Sequence, residues 1–238
     1  IYIDTLENIW VGHVDGGVSR IVGDKIEIVL SMSADITSFA EDADGNLWVS
    51  SFKEGVIKIT NPTAPKDSIK FKQYKGQEGL SDVVFQVIKL NDNTICFVTD
   101  VGVKYYDTQK DEFLKYTIKD MPYYFQIICM FETKNGDLWF GSYNGGAYEY
   151  NKKQKKLKIY DVRDGLAHNW VTSFYEDDKE NIWIGSWGGG VTKLNKQDEL
   201  ITINNERGIT DNKIRCITGD REGNILFGTK ENGLAIFK

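Results

Sequence analysis

In the stretch "NIWIGSWGGGVTKLN" (residues 181–195) apolar residues alternate, stop at glycine, and then resume. Ile182 and Ile184 point to one side of an extended chain and Trp183 to the other, so this strand is expected to be buried on both faces. The surrounding residues read as four strands: "VTSFYED" (171–177), "IWIGS" (182–186), "VTKL" (191–194) and "LITI" (200–203). Between them lie "DKEN", "WGGG" and "NKQDE", whose Asp, Asn and Gly tolerate the positive φ that tight hairpins need. The fourth strands are more mixed, as in "KKLKIYD" (155–161), which suits an outer strand facing water. No helical stripe of about 11 residues is present.

The pattern recurs at "NLWVSSFKEGVIKIT" (46–60) and "DLWFGSYNGGAYEYN" (137–151). Trp10, Trp48, Trp139 and Trp183 mark it, and Cys96 and Leu226 hold the tryptophan slot in two weaker copies. The anchors are 38 to 48 residues apart, and nine residues before them stand Ile1, Phe39, Val87, Met130, Phe174 and Ile217. Six repeats then cover approximately residues 1–32, 33–76, 82–117, 125–161, 170–204 and 213–238. A four-stranded sheet with two apolar faces is not stable alone in water. Stacking such sheets radially covers each with its neighbour, which predicts an all-β fold, a single β-propeller of four-stranded antiparallel blades.

In that arrangement the tryptophans fill the gaps between adjacent blades. Glycine or serine two residues later (Gly12, Ser50, Gly141, Gly185, Gly228) leaves room for a neighbouring side chain. Cys96 and Val98 break both rules, predicting a locally repacked third blade. Ile1 aligns with Phe174, inside a repeat, and the last repeat ends at "LAIFK", its third strand. The expectation is a piece of a longer protein: an incomplete ring, most simply part of a seven-bladed propeller, with exposed edges at both ends.

Composition narrows the partners. A net charge of −6 gives no basic footprint for nucleic acid or an anionic membrane. No apolar run approaches the ~20 residues of a membrane helix, so no membrane contact by this segment is expected. The three cysteines, Cys96, Cys129 and Cys216, have no C-x-x-C spacing and read as small buried thiols.

Candidate chemistry is sparse. A dinucleotide loop needs G-x-G-x-x-G running into a helix, whereas the glycines after Trp187 run into a strand. The acidic turns "EDADGN" (41–46) and "EDDKEN" (176–181) invite a calcium reading, but their glycine or its substitute sits at the wrong offset for an EF-hand loop. A tight Asp/Gly turn explains them as well, and no metal or cofactor is expected.

The stretch "DGLAHNWVTSFYEDDKENIWIGSWGGGVTKLN" (164–195) closely resembles the two-component regulator propeller repeat: Gly-Leu, polar, Asn, Val, a strand, Asp, Gly-Asn-(Ile/Leu)-Trp-Ile-Gly-Thr, Gly-Gly-Leu. "EGLSDVVFQVIKL" (78–90) and "RGITDNKIRCITGDREGNILFGT" (207–229) repeat it with losses. The departures are Cys96 and Leu226 for tryptophan and Glu180 for the turn glycine. The resemblance implies the sensor region of a membrane-bound hybrid two-component regulator, outside the inner membrane and thus periplasmic. It also implies an oligosaccharide ligand released from a complex glycan. The rest of the sensor kinase chain is the implied partner, with a homodimer as a further association.

In a propeller the crossovers between blades share a face with the loops joining second and third strands. That face collects Tyr143, Asn144 and Trp187 from the hairpins, and Pro122, Tyr123, Tyr124, His168, Asn169, Trp170, Asp211 and Asn212 from the crossovers. Aromatic planes beside amides and carboxylates suit sugar rings, which stack their C–H faces and hydrogen-bond their hydroxyls. Capping of blade ends and a protein interface are the alternatives for the same residues. His13 and His168 fall on this face without a nucleophile motif, so no catalytic residue is assigned. A propeller lyase using a facial histidine, a hydrolase using paired carboxylates, and a pure interaction module are the rival functions.

Overall fold

The computed structural model describes residues 1–122 and 126–238. It is all-β, apart from three short 3-10 turns, and has the blade architecture of a β-propeller. Among the described residues five antiparallel sheets have four strands in consecutive order, and the sixth has three. The chain forms two compact units, Ile1–Thr117 and Ile118–Lys238.

The first unit holds sheets 1 to 3, over residues 2–30, 35–74 and 84–115. Trp10 and Trp48 are fully buried. Trp10 of sheet 1 packs among Leu47, Val49, Ile57 and Ile59 of sheet 2. Trp48 of sheet 2 packs against Phe97, Tyr106 and Phe113 of sheet 3, at ring distances of 5.3, 4.8 and 6.4 Å. In sheet 3 Cys96 and Val98 are completely buried.

The second unit holds sheets 4 to 6, over residues 127–160, 171–203 and 214–237. Sheet 5 consists of Val171–Glu176, Ile182–Ser186, Val191–Leu194 and Leu200–Ile203, the strands that the alternation predicts. Trp139 of sheet 4 is buried among Phe174, Ile182, Ile184 and Leu194 of sheet 5. Trp183 of sheet 5 meets Ile217, Ile225 and Phe227 of sheet 6 in the same way. The small residue two positions on is a steric necessity. A Cβ on Gly12 would lie 2.5 Å from Ile36, on Gly141 2.8 Å from Val171, and on Gly185 2.9 Å from Ile214, each on the following sheet.

The first hairpin of most sheets is locked by a carboxylate. Asp42 accepts from the backbone N–H groups of Asp44 and Asn46, from the Asn46 amide, and from the buried Trp48 indole at 2.9 Å. Asp4 serves Trp10, and Asp177 serves Trp183, with the same set of bonds. Burial pushes the Asp42 carboxyl up, but the bonds from Asn46 and Trp48, helped by Lys58, outweigh it and hold it below the ordinary range. The acidic turn at 41–46 is therefore a hydrogen-bonded structural turn. The fifth residue of this turn and of the one at 176–181 is left-handed, at φ 76° for Gly45 and φ 62° for Glu180, the residue that replaces the turn glycine.

One expectation needs correction. Cys96 and Cys129 are buried, and burial pushes the Cys129 thiol up to about 12, but Cys216 is exposed. Cys129 has the next sheet against it, with its Sγ 3.7 Å from the Val171 carbonyl, whereas within this unit no sheet follows Cys216.

Candidate functional site

At the crossover end of the second unit, each hairpin between the second and third strands is tied to the preceding crossover. Tyr143 N–H donates to the Gln126 carbonyl, Trp187 N–H to the Trp170 carbonyl, and Lys230 N–H to the Lys213 carbonyl, all at 2.9 Å. These bonds define two columns, one of hairpin residues (Tyr143, Trp187, Lys230) and one of crossover residues (Gln126, Trp170, Lys213).

The aromatic members form one row. The Tyr143 and Trp170 ring centroids are 4.4 Å apart with planes at 50°, and Trp170 and Trp187 are 5.3 Å apart at 31°. Tyr143 is half-exposed and both tryptophans are partly buried. The row ends in positive charge, with the Arg215 guanidinium and the Lys230 ammonium each 5.4 Å from the Trp187 ring. Arg215 is the unpaired residue of a β-bulge between Ile214 and Cys216, a device that re-aims a side chain. The alternation of the sequence gave no sign of that bulge.

The polar residues expected beside the rings serve the loops themselves. The Asn169 side-chain carbonyl accepts the Val162 N–H, and that of Asn212 accepts the Asn205 N–H, at 3.0 and 2.8 Å. Their backbone carbonyls accept from Gly146 and from Gly188 and Gly190, anchoring crossover to hairpin. Asp82 makes the same two kinds of bond in the first unit, to Gly76 and Gly55. The staple recurs at these three crossovers, and the Asp or Asn two or three residues after Gly-Leu or Gly-Ile was the signal for it. Asp211 accepts from the Lys213 and Glu231 backbones; foremost the Lys213 bond, against a small desolvation effect, holds its carboxyl below the ordinary range.

His168 Nδ1 accepts the Trp170 N–H at 3.0 Å, so this ring also braces the aromatic row. His13, in the first unit, places Nε2 2.8 Å from the Ser19 hydroxyl. Asn144 is exposed at the tip of its hairpin, and Pro122 is partly buried. Tyr123 and Tyr124 lie outside the described residues. The structure thus brings Tyr143, Trp170 and Trp187 together and turns Asn169, Asp211, Asn212 and His168 inward to support them. Arg215 and Lys230 were not anticipated.

The chain can now be placed among known proteins. Its residues 31–53, 122–144 and 165–188 match the family described as two component regulator propeller. No curated protein sequence matches it. Among solved structures it is similar to the extracellular domain of BT4673 from B. thetaiotaomicron, assigned to a one component system. The TM-score there is 0.77 at 21% identity, over 96% of this chain and 31% of that one. It is also similar to the extracellular domain of BT3049 from B. thetaiotaomicron, assigned to a hybrid two component system, with TM-score 0.55, 18% identity, and coverage of 100% and 45%. Streptogramin B lyase shares the fold at TM-score 0.70 and 13% identity, over 99% of this chain and 76% of the lyase. The chain spans less than half of either extracellular domain. The three matched segments, which hold the anchors Trp48, Trp139 and Trp183, identify these stretches of the chain as two component regulator propeller repeats.

Proposed function

We propose that this chain is the ligand-sensing part of an extracytoplasmic, periplasmic two-component regulator, belonging to a seven-bladed propeller and joined to the remainder of a sensor kinase chain. Its ligand in this reading is a glycan-derived oligosaccharide, bound and not cleaved. The observation that carries the reading is the row Tyr143–Trp170–Trp187, three rings in contact on loops held by a rigid scaffold. Each ring offers a sugar a face or an edge, and the cations at Trp187 supply donors for hydroxyl or acid groups. Stacking contributes roughly 1 kcal/mol per ring, so affinity is modest and spread over several contacts. The staple bonds of Asn169 and Asn212 make the row a preorganised surface, which lowers the cost of binding.

No described helix is long and apolar enough to cross a membrane. Calorimetry against a panel of glycan oligosaccharides, using the complete sensor region, tests the proposal. Wild type is expected to bind one class saturably, and the triple alanine variant of Tyr143, Trp170 and Trp187 to lose that binding. Equal binding by both proteins, or turnover of the sugar, overturns it.

A further inference from the structure

At the opposite end of the repeats, the tryptophan boxes differ in one respect. The residue paired with the tryptophan on the third strand is Arg20 opposite Trp10, Lys58 opposite Trp48 and Lys193 opposite Trp183. Each places its cation over the indole, at 5.8, 4.8 and 5.2 Å from the ring centroid. Lys58 also lies 3.6 Å from Asp42, the carboxylate of its own box. In sheet 4 both charges change. The residue opposite Trp139 is Glu149, and the box position filled elsewhere by Asp is Thr133.

Beside Glu149 the second unit has an open cleft of about 610 Å³ between sheets 4 and 5, with Trp139, Tyr160, Asp137, Glu176 and Asp198 on its walls. Tyr160 stacks on Trp139 at 5.5 Å and donates to Glu149 Oε2 at 2.9 Å. Among the described residues no cation lies within ion-pair distance of Glu149. Lys158 stands opposite Glu149 on the fourth strand, but its ammonium lies over the outer Tyr160 ring at 4.6 Å and pairs with Asp198. Lys134 pairs with Asp178 and Lys196 with Glu180, so the place over Trp139 is left to a ligand. Burial foremost pushes the Glu149 carboxyl up, with Asp137 and Asp198 adding to it, against the Tyr160 bond and Lys158.

We propose that this cleft binds the ammonium group of a small organic amine, which takes the place that the repeat's own lysine fills in the other boxes, with Glu149 as counter-ion beside Trp139 and Tyr160. A cavity of this size accommodates a small-molecule ligand, and a cation against an aromatic wall beside a half-buried carboxylate is favourable on both counts. The inference is independent of the aromatic row, which lies at the other end of the sheets.

The test is a ¹H–¹⁵N titration of the tryptophan indole signals of the whole chain with n-butylammonium chloride, against n-butanol and sodium chloride. The Trp139 signal is expected to shift saturably with the ammonium alone. Lowering the pH through the Glu149 titration should remove the response. Glu149→Gln, which keeps the acceptor for Tyr160, should weaken it about tenfold or more, the scale of a lost charge-assisted bond. Glu149→Lys supplies the third-strand cation of the other boxes, so it should fold, leave the Trp183 signal in place and abolish the response. A response shared with sodium or butanol, or one unchanged in both variants, overturns the proposal.

Discussion

Trp183 and Trp187 stand four residues apart on one hairpin, yet different forces hold them. Trp183 is 1% exposed, its indole N–H donates to Asp177, Lys193 lies over its ring and Phe227 of the next sheet covers it. Trp187 lies beyond the end of its strand, partly buried, with Trp170 on one side and Arg215 and Lys230 nearby. The first belongs to the repeat, since Trp10 and Trp48 have the same carboxylate and cation. The second belongs to this chain, since the equivalent hairpin position is Tyr143 in sheet 4 and Lys230 in sheet 6. A tryptophan with a repeating set of partners is architectural, and one whose slot varies from sheet to sheet is available for recognition.

The largest effect expected from that contrast is on Trp183. Trp183→Ala should cost about 3–5 kcal/mol in denaturant unfolding, the scale for removing a large buried aromatic. Loss of the carboxylate comes next. Asp177→Ala leaves the indole and the turn N–H groups of Lys179 and Asn181 without their acceptor, and should cost about 1–3 kcal/mol.

This second effect has a pH signature. Burial pushes the Asp177 carboxyl up, but the Asn181 and Trp183 bonds outweigh it, so its folded value lies below the unfolded one. Its stabilisation is full above the ordinary carboxylate range and is lost as pH falls through the depressed value. The difference between wild type and Asp177→Ala should therefore shrink in acid. Thermal melts of both proteins from neutral pH downward check this, and a constant difference would show that the charge plays no part.

Much of the architecture was legible because each element recurs. The alternation in "IWIGS" gave the strand, the recurring interval gave the sheets, and the glycine or serine after each anchor tryptophan marked where the next sheet approaches. Side-chain bonds were less legible. Asp42 and Asp177 were read only as parts of tight turns, although the recurrence of Asp six residues before Trp10, Trp48 and Trp183 signals a fixed partner. Thr37 and Thr172 sit at β-bulges and donate to carbonyls of the following sheet, a link between residues 47 and 42 positions apart that no local pattern shows. At the candidate site the loop positions of Tyr143, Trp170 and Trp187 were legible, but their ring contacts were not. The loop bonds accepted by the Asn169 and Asn212 side chains were not legible either, because an amide in an exposed loop looks free until its backbone partner is seen.

The most direct test makes Trp183→Ala and Trp187→Ala separately and measures, for each, the unfolding free energy and the affinity for the oligosaccharide that wild type binds. Trp183→Ala should lose about 3–5 kcal/mol of stability, while Trp187→Ala should lose about 1 kcal/mol or less and weaken binding several-fold. Equal destabilisation by the two variants, or undiminished binding by Trp187→Ala, would contradict the division of this hairpin into a structural and a recognition tryptophan.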